Sequence, residues 1–140
     1  MKPIDQWFDE YSVSHRNQTN KLLHWICVPL ITFSVLGMLW SLHPLVAGVV
    51  VVLSLGFYLM LSWQLALAML GLSGLALWAL SLMPLTFWPS VSIFVLAWIG
   101  QFIGHHIEGK KPSFFQDIQF LMIGPVWLLG FVFRRLGWTY

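Results

Sequence analysis

Charged side chains are almost absent from this sequence of 140 residues. Lys, Arg, Asp and Glu make up 9% of it, against about 25% in an ordinary soluble domain, and residues 22–107 contain none of them. Hydrophobic residues reach 59%. A soluble domain, a disordered segment and a nucleic-acid-binding protein all need far more charge. The composition therefore predicts an integral membrane protein that binds no nucleic acid.

Cysteine is equally scarce. The single Cys27 lies in an apolar run, so no internal disulfide can form and a disulfide-stapled secreted module is excluded. The first twenty residues carry Asp5, Asp9 and Glu10 and lack an apolar core segment, which argues against a cleavable signal peptide. We expect one integral membrane domain over residues 1–140.

Four apolar runs are long enough to cross a membrane, which takes roughly 20 residues, with about 17 as a lower limit. They cover residues 22–40, 45–61, 65–82 and 91–107. Because the connections are short, we expect consecutive helices to be antiparallel neighbours. The predicted fold class is all-α, a polytopic membrane helix bundle with four spanning helices and two flanking helices.

The first flanking helix is predicted over residues 4–14. Its apolar residues recur at helical spacing, whereas Asp5, Asp9 and Glu10 lie elsewhere around the helix. These apolar residues are Ile4, Trp7, Phe8 and Tyr11. Such an amphipathic helix either lies on the membrane surface or caps the bundle.

The second flanking helix is predicted over residues 114–133. Ser113 followed by Gln116 has the spacing of a capping box. Gly124-Pro125 interrupts this hydrophobic segment near its middle, and proline removes a helical hydrogen bond. We therefore expect either a kinked fifth span or a re-entrant pair of half-helices.

An even number of spans returns the chain to the side on which it began. The segments before the first span and after the fourth therefore face the same compartment. Together they hold Arg16, Lys21, Lys110 and Lys111. The positive-inside rule assigns this side to the cytoplasm.

Four of the five histidines lie at or beside these same-side segments: His15 and His24 around the start of the first span, and His105 and His106 at the end of the fourth. Ionisable groups at membrane depth are costly and usually functional, and neutral imidazole is a common ligand for iron, zinc or copper. The pattern predicts a metal site, although histidines at a membrane border also bind backbone or lipid headgroups. The fifth histidine, His43, is predicted to lie in a loop on the opposite side.

Two polar residues near the histidines are candidates to support or complete this site. Glu108 shares a helix face with His105, so it either orients that histidine or is a ligand itself. Asn20 is the predicted N-cap of the first span and has the same two possible roles. Gly109 is the expected C-cap of the fourth span.

Two stretches of the sequence resemble the motifs of a known family of small membrane proteins. The first runs from Trp7-Phe8-Asp9-Glu10-Tyr11 through His15, Asn20, His24 and Pro29. The second is Gln101-Phe102-Ile103-Gly104-His105, followed by Glu108, Pro112 and Gly124-Pro125. In order and spacing, over nearly the whole chain, they resemble the membrane-embedded 2-hydroxy fatty acid dioxygenases that act in phytosphingosine breakdown to odd-numbered fatty acids.

The resemblance implies an iron(II) enzyme that uses O2 to shorten a 2-hydroxy fatty acid by one carbon. Its motif histidines correspond to His15, His24 and either His105 or His106. The short chain resembles a bacterial member, so a multi-pass protein of the inner membrane is implied, with its N-terminus and histidines on the cytoplasmic side.

The same chemistry suggests where a substrate would bind. A 2-hydroxy acid is anionic, and Arg16, Lys21 and Lys110 are candidates to meet its carboxylate at the membrane surface. The acyl tail would lie between the apolar spans.

Two other classes of function are compatible with the residues. One is a different His-ligated membrane metalloenzyme, such as a haem protein with His24 and His105 as axial ligands; di-iron lipid hydroxylases and desaturases usually carry more histidines than this chain has. The other is a non-enzymatic lipid-binding or scaffold protein whose histidines are structural. Ion-coupled transport is disfavoured because no Lys, Arg, Asp or Glu lies within the spans.

Overall fold

The computed structural model describes residues 3–13, 16–83, 87–109 and 114–140, without the side chains of residues 13 and 114–120. These ranges form six helices and no strand, in the order α1 (Ile4–Val13), α2 (Gln18–Leu42), α3 (Pro44–Leu61), α4 (Trp63–Leu82), α5 (Phe87–Glu108) and α6 (Phe114–Leu136). Helices α2 to α5 are each long and apolar enough to cross a membrane. The predicted all-α bundle with four helices of spanning length is confirmed.

Helix α2 begins earlier than predicted, and its N-cap is Asn17 instead of Asn20. Oδ1 of Asn17 accepts hydrogen bonds from the backbone N–H groups of Thr19, at 2.9 Å, and Asn20, at 3.3 Å. Asn20 therefore lies inside the helix, where its side chain is fully buried. The prediction was wrong because it started the helix at the apolar run, whereas Asn20 in the polar first turn is also packed against α5.

Helix α5 also begins earlier than predicted, at Phe87. Pro89 is its third residue, and a proline in the first turn costs no helical hydrogen bond. At the other end, the N–H of Gly109 donates to the carbonyl of His106 at 3.1 Å, and Gly109 has a φ of 75°. Only glycine adopts this conformation readily, so the predicted glycine C-cap is confirmed. The proposed capping residue of α6, Ser113, lies outside the described residues.

Single residues connect α2 to α3 and α3 to α4. His43 caps α3 by accepting the N–H of Leu45 on Nδ1, at 3.0 Å, which agrees with its predicted place in a connection. Ser62 caps α4 by accepting the N–H of Leu65 on Oγ, at 3.3 Å. These tight turns make the two helix pairs antiparallel neighbours, as expected.

Helix α5 departs from the expected order of neighbours. Within the described residues it packs mainly on α2, and not on the preceding helix α4. The two helices are antiparallel, since Gly104 faces Asn20 near one end and Ala97 packs on Ile31 further along. Glycines in α5 and buried polar residues in α2 make these two faces complementary, which short connections alone do not predict.

Helix α6 is a single helix that continues through Pro125, so of the two expected alternatives the pair of half-helices does not form. The hydroxyl of Tyr58 donates to the carbonyl of Met122 at 2.7 Å, next to the carbonyl that Pro125 deprives of its helical donor. Gly124 packs against Val28, and the Phe131 ring lies 5.6 Å from that of Trp25. These partners all belong to the halves of α2 and α3 nearest His24, so α6 lies across that end of the bundle.

Helix α1 caps the same end. Phe8 and Tyr11 are buried, and a Cβ at Gly130 of α6 would lie only 2.6 Å from the Phe8 ring. Nε1–H of Trp127 donates to Oγ of Ser12 at 2.9 Å. Of the two positions expected for an amphipathic helix, α1 takes the one on the bundle, where its apolar face packs on α6.

Candidate active site

His24 and His105 lie side by side at the capped end of the bundle. Their ring centroids are 5.9 Å apart and the ring planes make an angle of 81°. His24 is 2% exposed and His105 is 8% exposed. One comes from the first turns of α2 and the other from the last turn of α5, so the antiparallel packing of these helices creates the pair.

A hydrogen bond fixes the orientation and the tautomer of His24. Its Nδ1 lies 2.9 Å from the backbone carbonyl oxygen of Asn20, and a carbonyl oxygen can only accept, so Nδ1 carries the proton. The lone pair of neutral His24 is therefore on Nε2. Histidines that bind metals commonly donate their other ring N–H to a backbone carbonyl in this way.

Gly104 allows α5 to approach His24 closely. A Cβ at position 104 would collide with Oδ1 of Asn20 and would lie 3.4 Å from Cε1 of His24. One turn deeper, a Cβ at Gly100 would lie 2.5 Å from Sγ of Cys27. These two glycines set the spacing between the helices that carry the two histidines.

Glu108 joins the ends of the same two helices. Its Oε1 accepts a hydrogen bond from the backbone N–H of Asn17, the N-cap of α2. A carboxylate at a helix N-terminus is also favoured by the helix dipole. Glu108 is thus placed to hold the last turn of α5 against the first turn of α2, one turn beyond His105.

Two residues beside the histidines were not singled out as site residues from the sequence. The Tyr11 ring contacts His24 edge-on, with centroids 6.4 Å apart, and so places α1 over the pair. Gln101 is buried one turn before His105, on the same face of α5. A tyrosine on an otherwise apolar helix face and a glutamine inside an apolar span are the sequence signals for them.

The structure does not bring the remaining predicted site residues into the buried histidine pair where it describes them. His106 is exposed, as are Arg16 and Lys21 near the start of α2. His15 and Lys110 lie outside the described residues. Within the part of the chain that the structure describes, no three His, Cys, Asp or Glu side chains are grouped closely enough to hold a metal ion.

The fold and this site define a polytopic membrane protein with a buried pair of histidines at one end of its bundle. Residues 1–136 match the family model described as "2-hydroxy-palmitic acid dioxygenase Mpo1-like", so the chain belongs to this family. It is also similar to the 2-hydroxy-palmitic acid dioxygenase MPO1 of Saccharomyces cerevisiae, with 31% identity over 140 residues that cover 91% of this chain and 78% of the yeast protein. No solved structure gives a significant match.

These relationships confirm the resemblance seen in the two sequence motifs. Both motifs contribute to the histidine pair. The first supplies Asn20 and His24, and the second supplies Gln101, Gly104 and His105. Family membership supports a dioxygenase-type enzyme.

Proposed function

We propose that the chain is an iron(II)-dependent dioxygenase that uses O2 to shorten 2-hydroxy fatty acids by one carbon. The observation that carries the proposal is the buried contact between His24 and His105 in a member of this dioxygenase family. Two imidazoles buried together in a bundle of spanning helices are costly, and ionisable groups that proteins keep at membrane depth usually serve a function.

The chemistry of the described residues fits part of an iron site. His24 and His105 would be two nitrogen ligands, and the bond from His24 to the Asn20 carbonyl is the support that such a ligand needs. We propose His15 and His106 as the further ligands, with Glu108 as an alternative. Iron(II) bound there would supply the redox chemistry by which O2 reacts with a chelated 2-hydroxy acid.

The protein's own residues would position the substrate. Arg16 and Lys21 are exposed near the start of α2, and together with Lys110 we propose them as the cations that attract the carboxylate from the membrane surface. Helix α1 covers the histidines through Tyr11, which limits the access of water from that end. The apolar helices receive the acyl tail, and the membrane supplies the substrate.

The proposed orientation follows from charge. The chain is a multi-pass membrane protein by the length and composition of α2 to α5. We propose that the histidine end faces the cytoplasm, because Arg16 and Lys21 lie near the start of α2 at that end, and that the membrane is a bacterial inner membrane.

The proposal is tested by measuring metal content and products together. Detergent-purified protein is expected to retain iron, and under air to convert 2-hydroxypalmitic acid into the acid one carbon shorter. His24→Ala and His105→Ala are each expected to lose iron and to lower turnover at least about a hundredfold. Replacing even a group that only orients a metal ligand costs about 10–100-fold in metal affinity or activity. His43→Ala is the control, because His43 only caps α3. Iron-free protein, with turnover unchanged in both site variants, would overturn the proposal.

A haem protein is the metalloenzyme alternative, and the packing around Gly104 disfavours it. A macrocycle bound through His24 and His105 would have to lie between their helices, where even a methyl group at position 104 collides. An absorption spectrum separates the two, because haem gives a strong Soret band and non-haem iron does not. A scaffold or lipid-binding protein would instead tolerate removal of both histidines.

A further inference from the structure

An apolar cavity of about 490 Å³ lies between α2, α4 and α6. Its size is within the usual range of small-molecule sites, roughly 300–1,000 Å³. On α4 its wall runs from Met69 to Ala79, a length of about 15 Å along the helix axis. The cavity is therefore long enough to take an extended chain of many carbon atoms.

The wall is almost entirely apolar. Among the described residues that line it none is charged, whereas Thr32 and Ser73 carry hydroxyl groups and Trp25 an indole N–H. The hydroxyl of Thr32 already donates to the carbonyl of Val28 at 3.0 Å. A ligand that fills this space therefore meets mainly hydrocarbon side chains, which favours a hydrocarbon chain as the occupant.

One end of the cavity comes close to the histidine pair. Val28 is in its wall and follows His24 by one helical turn, on the same side of α2. From there the cavity extends away from the histidines to Ala76 and Ala79 on α4. Leu72 and Leu75 form part of the wall and are also exposed, so the cavity is open beside them and a chain can enter sideways from the membrane.

We infer that this cavity holds the acyl chain of the substrate, with the carboxyl end towards His24 and the terminal methyl group at Ala76 and Ala79. The inference rests on the proposed function for the identity of the substrate. Small side chains at these two positions of α4 leave the far end open. Their size therefore sets the length of acyl chain that the protein accepts.

Photolabelling of the intact protein in lipid nanodiscs tests the position of the chain. Palmitic acid with a diazirine at its terminal carbon is expected to label the Ala76–Ala79 turn, and a diazirine beside the carboxylate is expected to label residues around Val28. Excess 2-hydroxypalmitic acid should remove both sets of adducts, whereas excess phospholipid should not. Adducts on exposed residues of α3, such as Val52 and Leu53, or competition by phospholipid, would show that the probe labels the protein only from the bilayer. Either result would overturn the inference.

A matched pair of variants tests the role of Ala76. Ala76→Phe places a large ring in the far end of the cavity, whereas Gly74→Phe adds it on the opposite face of α4, where a Cβ has no neighbour within 4 Å. Ala76→Phe is expected to lower labelling by the palmitic acid probe at least about tenfold relative to a decanoic acid probe. Gly74→Phe should leave that ratio unchanged. If Ala76→Phe folds and the ratio of palmitic to decanoic acid labelling is unchanged, the inference is overturned. If Ala76→Phe does not fold, the positions labelled in the unsubstituted protein decide the inference.

The two proposals fail separately. Labels in the cavity without any iron-dependent turnover would support the acyl site and contradict the proposed reaction. Turnover of 2-hydroxypalmitic acid with labels only on the outside of α3 would support the proposed reaction and contradict the acyl site.

Discussion

Glycines in α5 and glycines in α4 have opposite surroundings. A Cβ at Gly100 or Gly104 of α5 would collide with side chains of α2, whereas a Cβ at Gly71 or Gly74 of α4 would meet nothing within 4 Å. The first two let helices approach and the second two face outward. Glycine thus lies at a close helix contact between α5 and α2, but on the open surface of α4.

Polar side chains divide in the same way. Among the described residues, every buried Asn, Gln, His or Ser side chain except that of Ser62 lies on α2 or α5. Helices α3 and α4 expose large apolar residues instead, such as Leu53 and Leu67. In a membrane there is little hydrophobic driving force between helices, whereas close packing at small residues and hydrogen bonds between polar groups stabilise helix contacts. The α2–α5 pair is therefore both the most closely packed part of the bundle and the part that carries chemistry.

The largest effect is expected from Gly104→Ala. The added methyl group must displace Asn20 or His24, and overpacking of this kind costs about 1–3 kcal/mol. Gly71→Ala is the control, because it adds the same methyl group in open space and alanine is the better helix former by about 1 kcal/mol. Unfolding in detergent and iron content are the measurements. If Gly104→Ala keeps both its stability and its iron, close approach of α5 is not needed for the site.

Glu108 gives the next test, because its carboxylate has two possible roles. Glu108→Gln keeps an oxygen that can accept the N–H of Asn17, so we expect iron to be retained and little change in stability. Glu108→Ala removes the acceptor and is expected to cost about 1.5 kcal/mol of unfolding free energy. Loss of iron from a stable Glu108→Gln protein would instead identify Glu108 as a metal ligand.

Much of the fold could be predicted from the sequence. The apolar runs predicted α2 to α5 because a spanning helix must be long and uninterrupted, and Gly109 marked the end of α5. The start of α2 was misplaced because Asn17 and Asn20 are equally good caps, and only packing against α5 makes Asn20 an interior residue. The prediction that α5 packs on α4 was also wrong. Close contact at Gly104 pairs α5 with α2, although α2 is not its neighbour along the chain.

The candidate site could be predicted in outline only. The even number of spans predicted that His24 and His105 lie at one end, and in the structure they are in contact. Sequence spacing could not tell that His105 is buried and His106 exposed, because this depends on which face of α5 meets α2. Sequence spacing also could not predict the hydrogen bond of His24 to the backbone carbonyl of Asn20, because every residue has a carbonyl and no residue type marks this partner.

The helix caps allow a smaller comparison between the two pairs. Asn17 caps α2 and Ser62 caps α4, so replacing either by alanine is expected to cost about 1 kcal/mol of unfolding free energy. Only Asn17→Ala should also weaken iron binding, because it frays the turn that carries Asn20 and, through it, His24. Equal loss of iron in Ser62→Ala would show that the site responds to overall stability and not to the start of α2.

The smallest effect concerns the two ends of the α2–α5 pair, which differ in charge. The end with the histidines has Arg16 and Lys21 nearby, whereas residues 22–107 carry no Lys, Arg, Asp or Glu. Arg16→Gln and Lys21→Gln are each expected to raise KM for a 2-hydroxy fatty acid about two- to fivefold, the range of an exposed ion pair, with kcat unchanged. Added salt should reduce the difference from the unsubstituted protein, since exposed charges are screened. Arg135→Gln is the control, because Arg135 is exposed on α6 and not on α2. If kcat falls while KM stays constant in Arg16→Gln, the arginine acts on the reaction itself, and attraction of the carboxylate is not its role.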